Sequence, residues 1–146
     1  MNGPRDCVFF IDRDLGRRIF PDILRSAGLR VEIHDDHFKD DTTSDPEWLH
    51  FVGQRGWVAV TRNKSIRYTE IERDAVMLAK VPLLVVRGRR DHRTLAEGFL
   101  VNLPKIYRFL ENNSPPYIAN VYLPTESQPS GRVKMWLSSE EWQQRL

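Results

Sequence analysis

Apolar positions along the chain alternate between two kinds of run. Cys7-Val-Phe-Phe-Ile11, Trp57-Val-Ala-Val60 and Pro82-Leu-Leu-Val-Val86 are short and continuous, the pattern of strands buried on both faces. Leu29-Arg-Val-Glu-Ile33 alternates and reads as a further strand. Between these runs the apolar spacing becomes helical. Leu15, Ile19, Ile23 and Ala27 recur at helical intervals until Gly28, with Pro21 predicting a kink or a late helix start. A polar, acidic loop is expected from His34 to Thr43. Ser44-Asp-Pro-Glu47 has the form of a capping box with proline in the first turn. Trp48, Leu49, Phe51 and Val52 give that helix its buried face, and Gly56 ends it. Thr69 and Glu72 predict a second box, before the stripe Ile71, Ala75, Leu78 and Ala79. Thr94 and Glu97 predict a third, opening a long helix through Phe99, Leu103, Ile106 and Leu110 with a kink at Pro104. Two last runs, Tyr117–Leu123 and Arg132–Leu137, flank a turn-rich stretch and read as an antiparallel hairpin on the sheet edge. Ser138 and Glu141 cap a short final helix.

Strand and helix alternate four times, which predicts a three-layer α/β/α domain with a mainly parallel central sheet and a C-terminal β-hairpin extension. The expected organisation is one domain over 1–146, with its core at 7–117 and the extension at 118–146. Composition adds limits. With 22 basic and 20 acidic residues the net charge is +2, so nucleic-acid binding must rest on local clusters rather than bulk charge. The single cysteine excludes a disulfide framework and a cysteine-ligated zinc site. The polar N-terminus leads straight into a strand, without a signal peptide or membrane span, and a cytoplasmic protein is the default expectation.

In an open parallel sheet, ligands bind outside the carboxyl ends of the strands. Asp12-Arg-Asp14 follows the first strand, and His34-Asp-Asp36 the second, with Asp45 and Glu47 further on. Thr61-Arg-Asn-Lys-Ser65 follows the third, and Arg87-Gly-Arg-Arg-Asp-His-Arg93 the fourth. Carboxylates beside a basic loop suit a phosphodiester: oxygen ligands hold Mg²⁺ or Mn²⁺, and arginine holds phosphate. Each residue also has a plainer reading. Asp12 fits a helix cap as well as a ligand. Asp14 complements a helix dipole as readily as it binds an ion, and on local grounds capping is the better account of Asp45. Glu47 and Glu72 are explained by capping boxes and Asn63 by a turn. The four histidines show no metal-ligand spacing.

Three segments together resemble a known family. Phe9-Phe-Ile-Asp-Arg-Asp-Leu15 is similar to the first strand and aspartate of PIN-like domains, and Ser44-Asp-Pro-Glu-Trp48 to their next acidic helix start. Val58-Ala-Val-Thr-Arg-Asn-Lys64 resembles their third strand and its Thr-Arg-Asp-Lys turn, and Ser65-Ile-Arg-Tyr68 looks like the VapC-type toxin branch. The resemblance implies a Mg²⁺- or Mn²⁺-dependent endoribonuclease, the toxin of a type II toxin–antitoxin pair, cleaving RNA with a metal-activated water. It implies Asp12, Asp45 and Asn63 as catalytic and metal-binding positions. Asp14, Glu47 and Glu72 are further candidate ligands, and Asp14, Glu70 and Glu72 are the candidates to supply the charge that Asn63 lacks. Arg62, Lys64, Arg67, Arg87, Arg89 and Arg90 are candidate RNA contacts. A cognate antitoxin is the implied protein partner; a homo-oligomer is left open, since Trp48, Trp136 and Trp142 suit an interface as readily as the core. Asn63 stands where the family has an aspartate, and the alternative expectation is a catalytically impaired RNA- or protein-binding module. A receiver-like or hydrolase-like phosphoryl-transfer enzyme ranks last, since no glycine-rich phosphate loop is present.

Overall fold

The computed structural model describes residues 6–39, 43–62 and 69–146. Six strands form one sheet: β1 (Val8–Ile11), β2 (Arg30–Ile33), β3 (Val58–Thr61), β4 (Pro82–Arg87), β5 (Tyr117–Tyr122) and β6 (Arg132–Ser138). Their order is β2-β1-β3-β4-β5-β6, and every neighbouring pair is parallel except β5 with β6. The inner strands β3, β4 and β5 are buried along almost their whole length, as continuous apolar runs should be. The edge strands β2 and β6 alternate between covered and open positions. The hairpin is therefore an integral edge of the sheet.

Among the described residues seven helices cover the two faces: α1 (Ile19–Ser26), α2 (His34–His37), α3 (Asp45–Arg55), α4 (Glu70–Leu78), α5 (His92–Val101), α6 (Leu103–Asn112) and α7 (Ser139–Gln144). Phe9, Ile11, Val60, Leu84 and Val86 point to one face, where Phe20, Leu24, Phe99 and Ile106 of α1, α5 and α6 cover them. Phe10, Ala59, Leu83 and Val85 point to the other, under Trp48, Leu49 and Val52 of α3 and Val76 and Met77 of α4. This is the expected three-layer arrangement.

Local departures have local causes. The chain first makes a 3-10 turn, Arg13–Leu15, and α1 then starts late, with Pro21 in a first turn where its missing N–H is not needed. Phe20 and Leu24 carry the buried face of α1, while Ile19 is 48% exposed, so the stripe is displaced by one residue from the expected Ile19–Ile23 row. The acidic segment after β2 is not all loop, because His34–His37 forms one helical turn. The long helix expected from Thr94 is two helices. Asp91, rather than Thr94, caps the first by accepting the Thr94 N–H. The chain breaks at Asn102, whose buried amide donates to the Gly98 and Tyr122 carbonyls, and Pro104 has no N–H to continue the ladder. Thr69 precedes α4 but its side chain makes no cap bond, so the second expected box is absent. The Ser138–Glu141 box is fully formed.

One helix contact is unusually tight. A Cβ at Gly53 of α3 would collide with the carbonyl oxygen of Ala79, just after α4. Gly53→Ala is therefore expected to destabilise the chain by about 1–3 kcal/mol, despite alanine's better helix propensity. A lower urea midpoint with an unchanged slope checks this.

Candidate functional site

The chain runs from β1 to β2 on one side of the sheet and returns to β3 on the other, so β1 and β3 flank the point where strand order reverses. Such a switch point opens a crevice at the carboxyl ends. Asp12 stands there, one residue past β1, with its N–H still bonded to the Val60 carbonyl at 2.9 Å. Its side chain accepts from the Arg13 N–H at 2.7 Å, so it does cap the 3-10 turn, and it is only 6% exposed. The Thr61 hydroxyl, at the end of β3, lies 2.8 Å from Asp12 Oδ2 and 3.1 Å from Asp14 Oδ2. One hydroxyl proton thus faces two carboxylates. Asp14 also accepts the Arg62 N–H at 3.3 Å.

Asp45 completes the acidic group. The expectation that it caps a helix is not met, because Ser44 is the N-cap and accepts the Glu47 N–H. Asp45 is the first helical residue, and its carboxylate accepts the Trp48 indole N–H at 2.8 Å. Trp48 is buried and stacks on Phe10 of β1, with centroids 5.7 Å apart. The apolar core therefore sets the direction of this carboxylate.

The electrostatics reflect this crowding. Burial first, then the charge of Asp14, pushes the Asp12 carboxyl up to about 7, against the pull of its bonds to Thr61 and Arg13, and Asp45 adds to the rise. Burial raises Asp14 too, offset in part by its bonds to Arg62 and Thr61, and Asp45 again acts upward. Burial and neighbouring carboxylates raise both Asp12 and Asp14 in this crowded site, which favours a bound cation. Their donors are hard oxygens suited to Mg²⁺ or Mn²⁺. Among the described residues no three His, Cys, Asp or Glu side chains form a ready-made metal cage. Mg²⁺ does not need one, since it commonly uses one or two carboxylates and keeps its waters.

The other candidates divide. Glu47 is exposed and engaged with Ser44. Glu70 and Glu72 lie in the first turn of α4, at the same end of the sheet. Arg62 directly follows β3, Arg87 ends β4, and Arg89 and Arg90 are exposed just beyond it. Asn63, Lys64 and Arg67 lie outside the described residues.

Sequence reading passed over Thr61, the Trp48 indole and His34. His34 is 3% exposed, and its Nδ1 accepts from Arg13 Nη2 at 3.2 Å. Burial, then the charge of Arg13, lowers its pKa, which keeps the ring neutral and able to accept. Only the burial of an apolar strand end hinted at this role; spacing gave none.

A mainly parallel three-layer sheet with buried carboxylates at its switch point defines a class of α/β proteins with acidic strand-edge sites. The family follows from comparison. The family model described as PIN like domain matches residues 7–88, more than half of the chain, and the protein belongs to the PIN-like domain family. It is also similar to a Mycobacterium tuberculosis (strain ATCC 25618 / H37Rv) protein named "Putative ribonuclease VapC45", with 31% identity over 71 residues, 47% of this chain and 51% of that one. The chain spans about half the length of this curated relative. No solved structure matches it. No helix among the described residues is long and apolar enough to cross a membrane.

Proposed function

We propose that the protein is a divalent-metal-dependent endoribonuclease of VapC type, acting as the toxin of a toxin–antitoxin pair in the cytoplasm. The observation that carries this reading is the Asp12–Thr61–Asp14 contact at the switch point, with Asp45 adding its charge. Family membership and the ribonuclease name of the relative support it.

Asp12 and Asp45 would hold Mg²⁺ or Mn²⁺, with Asp14 beside them and Asn63 offering a neutral carbonyl oxygen. When bound, the ion supplies an activated water and neutralises charge on the phosphate. Thr61 positions Asp12 and Asp14, and Trp48 positions Asp45. Arg62, Arg87, Arg89 and Arg90, with Lys64 and Arg67, would hold the RNA backbone. Its phosphates would pass beside carboxylates, whose charge the bound ion and these cations would offset. An antitoxin that placed an arginine among the carboxylates would inhibit by occupying the ion's place.

Purified protein incubated with single-stranded and structured RNA, with Mg²⁺, Mn²⁺ or chelator, tests the reading. Cleavage is expected with either ion and not with chelator, and Asp12→Asn should remove it. Cleavage that persists in both chelator and Asp12→Asn would sink the proposal. RNA that is bound but cut only after Asn63→Asp would instead favour the binding-module reading, which rests on the neutral residue at that position.

A further inference from the structure

On the far side of Asp12 from β3, a cleft of about 230 Å³ opens between the carboxyl ends of β1 and β2. Arg13, Gly16, Arg17, Ile33, His34 and Asp35 line it. We propose that this cleft is a phosphate subsite for the RNA strand, in which Arg13 and Arg17 are the cations and Asp35 is the internal carboxylate that the strand's phosphate displaces. The proposal rests on the reading of the Asp12 site as RNA-cleaving, and it extends that site to the side where no basic loop was expected.

Position is the first argument. The Arg13 N–H holds the Asp12 carboxylate, while its guanidinium turns into the cleft. A strand whose scissile phosphate sits at Asp12 therefore has its neighbouring phosphate within reach of Arg13.

Charge is the second. Arg13 Nε lies 3.3 Å from Asp35 Oδ1, and Arg17 Nη1 lies 3.7 Å from Asp35 Oδ2. Two arginines converge on one carboxylate beside His34. The side chain of Asp35 is 34% exposed and that of Arg17 is 73% exposed, so these are weak, solvent-reached pairs. A phosphate offers more oxygens for charge-assisted bonds to the same guanidinium groups and can replace the carboxylate.

Shape is the third. The volume is below the roughly 300–1,000 Å³ of ordinary ligand pockets, which suits a phosphate with part of its ribose rather than a whole nucleotide. Gly16 lines the cleft. Its φ of +78° suits glycine, and a Cβ there would press on the His92 ring.

The test uses the full chain carrying Asp12→Asn, so that RNA is bound without being cut. Fluorescence anisotropy with a labelled single-stranded oligoribonucleotide is read across a salt series. Arg17→Ala, at an exposed position that leaves the core intact, should weaken binding by roughly threefold to tenfold. It should also make the log–log salt slope shallower by about 0.7. Asp35→Asn should tighten binding by a similar factor, a gain that a merely structural ion pair does not give. Unchanged affinity and slope in Arg17→Ala, or weaker binding in Asp35→Asn, overturns the proposal. So does inorganic phosphate that binds through Arg17 while RNA affinity ignores that residue, because the cleft then serves a free anion. Metal-dependent cleavage indifferent to the cleft variants removes the subsite and leaves the nuclease reading standing. RNA held through Arg17 by a protein that cuts under no ion does the reverse.

Discussion

Without metal, Asp12→Asn is expected to make the protein more stable at neutral pH, by on the order of a few kcal/mol, while removing its RNA cleavage. The two effects share one cause. Burial and Asp14 push the Asp12 carboxyl from its ordinary 3.8 up to about 7. Between those values the folded chain holds a proton that the unfolded chain has released. Stability from this group is therefore greatest at the acid end, falls as pH rises through the window, and stays low above about 7. Asp14 is raised by the same crowding, so the pair titrates together and the fall is broad. Asparagine keeps the shape: its oxygen can still accept the Arg13 N–H while its NH2 donates to the Thr61 hydroxyl, which turns its proton to Asp14, and it cannot ionise. Thermal unfolding in chelator should show a melting temperature that declines toward neutral pH in the native protein and a flatter profile in Asp12→Asn. Adding Mg²⁺ should restore the native protein at neutral pH and leave the variant nearly unmoved. The activity loss should exceed the roughly 10–100-fold typical of outer-shell partners, because Asp12 is the proposed direct ligand. A native profile that is already flat in chelator, or a variant less stable than the native chain at neutral pH, would contradict the electrostatic account.

That trade of stability for charge also shows what the sequence could reveal. The apolar runs ending at Ile11, Val60 and Val86 announce inner parallel strands, because a strand buried on both faces has little room for polar side chains. Once those strands are placed in parallel, their carboxyl ends share one edge, and Asp12 and the Arg87–Arg93 segment are placed with them. The order β2-β1-β3 then puts Asp12 at the reversal. What stayed hidden depends on contacts between distant segments. Thr61 is 49 residues from Asp12 in the chain, and nothing local distinguishes its hydroxyl from that of any strand threonine. Asp45 looked like a cap because aspartate before proline at a helix start usually is one. Only the packing of Trp48 on Phe10 shows which way its carboxylate turns. The one-residue displacement of the α1 stripe has a similar origin. The stripe set by Leu15 does not carry through, because the 3-10 turn and Gly16 reset the helical phase before Ile19.

Phe10→Ala is expected to cost about 3–5 kcal/mol of stability and to impair the acidic site beyond what that loss explains. Phe10 is fully buried on the face opposite Phe9 and lies nearly parallel to two tryptophans. Its ring is 5.7 Å from Trp48 and 6.2 Å from Trp57, with interplanar angles of 19° and 22°. His34 and Phe51 stand 6.1 Å away. Removing the ring opens a cavity where β1 meets α3, and the cavity directly frees Trp48. The indole N–H that orients Asp45 then loses its fixed position, and so does the carboxylate. Trp48→Phe separates the two effects: it keeps an aromatic ring against Phe10 and deletes the N–H together with only part of the indole's bulk. Its stability loss should be smaller, yet Mn²⁺ affinity measured by calorimetry should fall roughly 10–100-fold, as for other residues that orient a ligand. Urea midpoints give the stability order, native above Trp48→Phe above Phe10→Ala. Mn²⁺ affinity unchanged in a folded Trp48→Phe would mean that the indole does not position Asp45. The core and the metal site would then be independent, and Phe10→Ala should weaken ion binding only in proportion to the fraction of chain unfolded.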